Sequence, residues 1–326
     1  MILSLRLGAT SMLKLLLVTA VILTAARPSS AVTLLPGDIL VGDQANDSIV
    51  RIDPVTGAQT VIAQGDQLNS PSGITMDLSG YILVADNANS RLVRIDPTDG
   101  SQQMIYQSAA PLVDLVLEDS THALVAVGPL ATFPNSVRRI DMVNQTEQVI
   151  TFNNHIDDVT GIVRSDDGNV YVSEVVSAGG QNQNVGVVGV DPAGQQSVVS
   201  VNGNFRDPVD IVIEAPGSLL VLDSTAESIV RVNAASGAQS LVFSNAAFDL
   251  VSSLARESDG HLLVSDQLAA AVYRIDPLGG TMTTLTSGVN LSRPISLYVV
   301  VPVPTAVWSG LALLVACGLV RAWRRR

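Results

Sequence analysis

Side chains able to do chemistry are sparse in this sequence, and their spacing limits what it can catalyse. The three histidines are His122, His155 and His261. Residues 32–304 contain no cysteine, because Cys317 lies in an apolar run near the C-terminus, so this region offers neither a thiol nucleophile nor a disulfide. Serines are plentiful, yet no G-x-S-x-G elbow occurs. Carboxylates remain. Asp114 and Asp210 hold matching places in two copies of a repeated phrase, while Asp157, Asp158, Asp207 and Asp249 stand just ahead of such phrases. Ca2+ takes about 6–8 oxygen ligands, which makes Asp114, Asp158, Asp207 and Asp210 the candidate metal ligands. The alternative is that they cap strand ends and turns. No residue is assigned a catalytic role.

The elements that must position these groups are set by repetition. "VRIDP" occurs at 50–54 and 93–97 and "YRIDP" at 273–277, with weaker copies ending near Met142, Pro192 and Ala234. Ahead of each copy runs a second phrase: LVGD, LVAD, LVAV, YVSE, LVLD or LVSD. A third phrase opens each unit: PSGI, LVDL, VTGI, PVDI, VSSL and PISL. Turn signals such as LSG, DDG and SDG separate the first two runs. Each unit therefore holds four short strands in about 42–50 residues, the length of a propeller blade. A single blade buries neither face alone, so six units imply an all-β, six-bladed β-propeller.

The order of the pieces predicts how the ring closes. The first unit lacks an opening strand and begins at Gly37–Val41, whereas the last opening run, Ile295–Val301, has no unit after it. Pairing Ile295–Val301 with Ile39–Asp43 completes the first blade and removes two open sheet edges. In this arrangement His122 and His261 occupy the same turn in opposite blades, so they cannot form one site. The repeated Arg and Asp of VRIDP lie two apart on one strand face and suit scaffolding and turn formation.

On these residues, "GYILVADNANSRLVRIDPTDG" at 80–100 resembles an NHL repeat. The likeness covers roughly residues 37–301, and it is good in units one, two, five and six. Similar six-bladed propellers include gluconolactonase-like hydrolases, which the resemblance associates with a channel metal, and streptogramin-lyase-like proteins. Fold likeness alone fixes no activity.

The two ends read as addresses. Arg6 and Lys14 precede an apolar run over 15–26, and Ser29, Ser30 and Ala31 supply small residues for cleavage after Ala31, the pattern of a signal peptide over 1–31. Residues 302–326 form the third region. Val301, Pro302 and Pro304 fall in a Val-Pro-Val-Pro motif. An apolar stretch over 305–320 follows, with Trp308 at its start and Arg321, Arg324, Arg325 and Arg326 after it. As a helix the stretch is roughly 24 Å long, and interfacial tryptophan and snorkelling arginines extend its reach, which predicts one transmembrane helix with its arginines cytoplasmic. The layout resembles the PEP-CTERM sorting signal of Gram-negative bacteria, with Val303 where Glu is usual. The resemblance implies an exosortase-type protease, export through the Sec translocon, transient anchoring in the inner membrane, and delivery to the cell surface or an exopolysaccharide matrix.

Residues 32–304 carry 11 arginines, no lysine and all 30 acidic residues, a formal charge of −19. Such a surface repels nucleic acid and anionic lipid. The expectation is an exported, non-enzymatic binding or scaffold propeller without a cofactor, its partners exopolysaccharide or envelope proteins. The alternative is a Ca2+-dependent lactonase or lyase.

Overall fold

The computed structural model describes residues 32–128, 134–156, 158–175 and 185–302. These contain 24 strands, β1 to β24, in six four-stranded antiparallel sheets. Blade 1 is β24 (Pro294–Val299), β1 (Ile39–Asp43), β2 (Ser48–Ile52) and β3 (Gln59–Gln64). Blade 2 is β4 (Pro71–Met76) to β7 (Gln102–Gln107), through β5 (Ile82–Asp86) and β6 (Arg91–Ile95). Blade 3 runs from β8 (Leu112–Leu117) through β9 (His122–Val127) and β10 (Ser136–Asp141) to β11 (Thr146–Phe152). Blade 4 comprises β12 (Val159–Arg164), β13 (Val170–Glu174), β14 (Gly186–Val190) and β15 (Gln196–Val201). Blade 5 comprises β16 (Pro208–Ala215), β17 (Ser218–Asp223), β18 (Ser228–Asn233) and β19 (Gln239–Ser244). Blade 6 is β20 (Val251–Arg256), β21 (Leu262–Asp266), β22 (Ala271–Asp276) and β23 (Thr281–Ser287).

The chain is thus an all-β, six-bladed propeller, and it closes as the order of its repeats requires. β24 pairs with β1 in register Ile39↔Val299, Val41↔Leu297 and Asp43↔Pro294. Regular pairing stops at Val299, short of the expected Val301. Val300 makes one further exchange, donating to the Asp38 carbonyl and accepting from the Gly37 amide. Val301 and Pro302 then lead outward, both exposed. No helix of the described residues is long and apolar enough to cross a membrane. The signal-peptide region 1–31, Pro304, Trp308 and the four terminal arginines lie outside the described residues, as does Asp157.

Blade stacking explains the sequence pattern. The second strands β1, β5 and β21 are buried at every residue, since each is covered by a blade on both faces. They therefore read as unbroken apolar runs where a half-exposed strand would alternate. The core divides into six apolar clusters, one at each seam between neighbouring blades. Seam 4–5 is the thinnest, with seven buried members against twelve at seam 1–2.

The acids that end the second strands act as staples. Asp43, Asp86, Asp223 and Asp266 are each 0% exposed. Asp43 accepts from the amides of Ser292 and Arg293 through one oxygen and from Asn46 through the other. Asp223 does the same with Arg206, Asp207 and Ala226. Each carboxylate so ties the loop entering its blade to the turn after the second strand. The VRIDP arginines do a separate task. Arg94, Arg139, Arg231 and Arg274 bond Asp77, Glu118, Glu214 and Glu257, the acids at the ends of their own inner strands, and Arg51 bonds Asp38, which precedes β1. The following Asp53 folds back on the amides of Val55 and Thr56, and these hydrogen bonds, that of Thr56 foremost, hold its carboxyl below the usual range.

Candidate functional site

The six inner strands β24, β4, β8, β12, β16 and β20 surround a cavity of 680 Å³, within the range of about 300–1,000 Å³ typical of small-molecule sites. A bulge recurs in all six. Pairing with the second strand jumps from the first inner residue to the third, as in Leu112↔Val127 followed by Asp114↔Ala126. The bulged second residue and the third after it are re-aimed by this irregularity. Their side chains then serve the next blade.

These two places alternate around the ring. The second place holds Ser72, Val113, Thr160, Val209, Ser252 and Ile295; the third holds Gly73, Asp114, Gly161, Asp210, Ser253 and Ser296. Blades 2, 4 and 6 supply hydroxyls at the second place. Ser72 donates to the Leu112 carbonyl, Thr160 to Pro208 and Ser252 to Pro294, each in the next blade, at 2.8–3.0 Å. Blades 3 and 5 supply carboxylates at the third. Asp114 accepts from its neighbour Leu115 at 2.8 Å and from Ile162 of blade 4 at 2.9 Å. Asp210 accepts from Ile211 at 2.7 Å, and from both the Leu254 amide and the Ser253 hydroxyl of blade 6. Ser253 in turn accepts from Leu297. Glycine precedes each aspartate for a steric reason: a Cβ on Gly73 would lie 2.5 Å from an Asp114 oxygen, and one on Gly161 2.8 Å from an Asp210 oxygen.

The two aspartates are thus brought to one cavity, as their matching places in the sequence suggest. Burial, and then the charge of Asp210, raise the Asp114 carboxyl well above the usual range. Burial pushes Asp210 up to about 6 against the amides that it accepts. Ser296, in the corresponding place of blade 1, is buried, and among the described residues its hydroxyl has no hydrogen-bond partner. Asp207 is placed elsewhere, at the mouth where the inner strands begin. Burial and the Asp223 charge raise it, and Thr225 donates to it at 3.4 Å. Asp158 precedes β12 and its carbonyl accepts from Val175. Asp114 and Asp210 sit two blades apart, each accepting backbone amides, and are near enough for the charge of Asp210 to raise Asp114; Asp207 lines the same cavity at its mouth.

The histidines lie apart on their turns, His122 beside Asp119 and His261 beside Asp259, each at 3.0 Å. Glu257, Asp259 and His261 bring ligand atoms within 4.8 Å of one another, yet both Glu257 oxygens are taken by Arg274.

The structure adds two residues that the repeat phrases did not single out. Arg164 ends β12 and Arg256 ends β20, so both stand at the same mouth, opposite Asp207, and both line the cavity. Seven of the 11 arginines in residues 32–304 are paired with carboxylates. Arg206 donates to carbonyls and Arg293 to Gln267. Of the arginines among the described residues, Arg164 and Arg256 make no hydrogen bond or close ion pair, although the Arg256 charge is near enough to help lower the Glu214 carboxyl. Extending the opening phrases by two residues, to VTGIVR and VSSLAR, shows the signal: the sixth place is Met76, Leu117, Ile213 or Val299 in the other blades.

Comparison with solved structures agrees with the fold. A chain in the crystal structure of a nidogen/laminin complex is similar at 13% identity and a TM-score of 0.68, over 80% of this chain and 97% of that one. Virginiamycin B lyase from Staphylococcus aureus is similar at 16% identity and a TM-score of 0.54, over 69% and 73%. No known protein-family model matches the sequence, and no curated protein matches it.

Proposed function

We propose that this protein is an exported, surface- or matrix-associated propeller that binds an anionic ligand in its central channel, and that it acts as a binding or scaffold component without catalysing a reaction. The observation that carries this reading is the pair Arg164 and Arg256. In a region of charge −19 they are the two arginines among the described residues that make no hydrogen bond or close ion pair, and both line the same 680 Å³ cavity. Guanidinium groups bind carboxylates with paired, planar geometry. Deeper in, burial raises the Asp114 and Asp210 carboxyls, which lessens the negative charge that an anion meets in the channel. An acidic polysaccharide segment fits this chemistry, and it fits a Val301-Pro302 sorting motif followed by an apolar span and four arginines. The six-bladed scaffold supports a binding role in the general sense that a fold likeness allows.

The test is calorimetric titration of residues 32–304 with a short polygalacturonate oligomer, with a neutral glucan as control. The wild type binds the uronate and not the glucan, and Arg164→Ala/Arg256→Ala weakens binding at least tenfold. Equal affinity in the double variant refutes the reading. For the address, replacing Pro302 and Pro304 by alanine in the full chain should leave the protein in the inner membrane. Unchanged delivery to the surface excludes the motif as a sorting signal.

A second reading, a Ca2+-dependent lactonase or lyase, is favoured by Asp114, Asp210 and the unpartnered Ser296 hydroxyl around one cavity. Titrating the same fragment with Ca2+ decides it. Absence of both heat and thermal shift removes the metal-dependent enzyme.

A further inference from the structure

Five blades carry the same Arg–carboxylate pair, and blade 4 lacks both halves. Tyr171↔Gly189 is the register pair that corresponds to Leu40↔Arg51, Leu83↔Arg94, Leu124↔Arg139, Leu220↔Arg231 and Leu263↔Arg274. The acid at the end of the inner strand is replaced as well, by Ser165. Tyr171 takes up part of the space at Gly189, its Cε1 3.6 Å from where a Cβ there would stand, and the room that remains lies beside Tyr171 and Ser165. A second cavity, of 440 Å³, opens at this seam, with Tyr171 and Asp166 on the blade 4 side and Ile213, Leu219 and Ala234 on the blade 5 side. At seam 6–1 the corresponding space is crossed by Arg274, which donates to the Pro54 carbonyl at 2.8 Å. Pro54 aligns with Ala234. Seam 4–5 is also the one with the fewest buried apolar residues.

We infer that this seam is a receptor pocket for a guanidinium group, the arginine side chain of a basic peptide segment on a partner protein. Three observations specify that chemistry. The pocket includes Ser165, which stands where Asp77, Glu118 and Glu257 meet an arginine guanidinium in sister blades. Its wall is the Tyr171 ring, and blade 2 shows the same pairing internally, with the Arg94 guanidinium 4.0 Å above the Tyr81 ring centroid. Its rim carries Asp166 and Asp167 in a region of net charge −19, which steers a cationic segment inward. The apolar floor suits the methylene stem of arginine better than the compact ammonium of lysine. The pocket shares Ile213 with the channel, and its Ser165 follows Arg164, but it takes a ligand of opposite charge, so a separate probe tests it.

The test uses residues 32–304 and the probe N-acetyl-L-arginine methylamide, followed by two-dimensional NMR, with the norleucine and lysine analogues as controls. The arginine probe should shift resonances of Tyr171, Ala234 and their neighbours saturably, at least fivefold more tightly than either control. Tyr171→Leu/Gly189→Arg/Ser165→Glu rebuilds the sister arrangement and should fold with a Tm at or above wild type while losing the response. Asp166→Asn, a milder change at an exposed position, should weaken binding severalfold with Tm unchanged. Failure of the arginine probe to shift these resonances, equal response to norleucine, or an undiminished response in the rebuilt triple variant each overturns the proposal. If the triple variant does not fold, Asp166→Asn and the norleucine comparison still decide.

Discussion

At the scale of single residues, charge placement does most of the work. Asp210 and Asp114 are held above their ordinary range by burial, so the folded protein binds more protons than the unfolded chain between about pH 4 and 6. Their stabilising contribution is therefore complete below the unfolded carboxylate pKa of about 3.9 and is lost as pH rises through the folded values. Thermal melts should show Tm falling between pH 4.5 and pH 7, and Asp210→Asn should flatten that slope; a wild-type Tm that is level over this range would contradict the assignment. The same ionisation places negative charge in the channel, so polygalacturonate should bind more tightly at pH 5 than at pH 7.5, and the difference should shrink in Asp210→Asn. Asp43 is a different case. Three backbone amides depend on it, and Asp43→Ala removes their shared acceptor and the tie between two loops, a loss of about 2 kcal/mol read by chemical denaturation. An Asp43→Ala protein as stable as wild type would remove its role as a staple. Asp43 was visible in the sequence as the end of a recurring phrase, but its partners were not, since Ser292 and Arg293 lie some 250 residues away and meet it only through ring closure.

At the scale of elements, the repeat phrases map onto strands with little loss. LVGD, LVAD and LVSD are buried second strands, and VRIDP runs from a third strand into an Asx turn. The inner strands were legible as phrases but their bulge was not. A one-residue shift leaves no mark on hydrophobic periodicity, yet it decides that Asp114 bonds Ile162 of the next blade. For that reason the sequence left the aspartates open to two readings, caps of strand ends and turns first and metal ligands second. Arg164 and Arg256 were hidden in another way, because an arginine at a strand end looks like any solvated charge until its lack of a partner is seen. β24 carries the main prediction at this scale. A chain of residues 32–302 should melt cooperatively, whereas residues 32–293, lacking β24, should lose that transition, because β1, otherwise buried at every residue, is then left as an open edge. A cooperative melt of the shorter chain with unchanged Tm would mean that blade 1 does not need its C-terminal strand.

At the scale of the whole molecule, the ring has two mouths of unlike character. Asp207, Ser224 and Gln267 line the cavity at the end where the inner strands begin, and Arg164 and Arg256 line it at the other. An acidic propeller with Arg164 and Arg256 at one mouth of its channel attracts an anion there. The most direct measurement is a structure of residues 32–304 bound to a trigalacturonate. The account predicts a ligand carboxylate between the Arg164 and Arg256 guanidinium groups, with the sugar chain entering the channel from that side. A trigalacturonate seated at the Asp207 mouth or on the outer strands, with both arginines left in water, would contradict it.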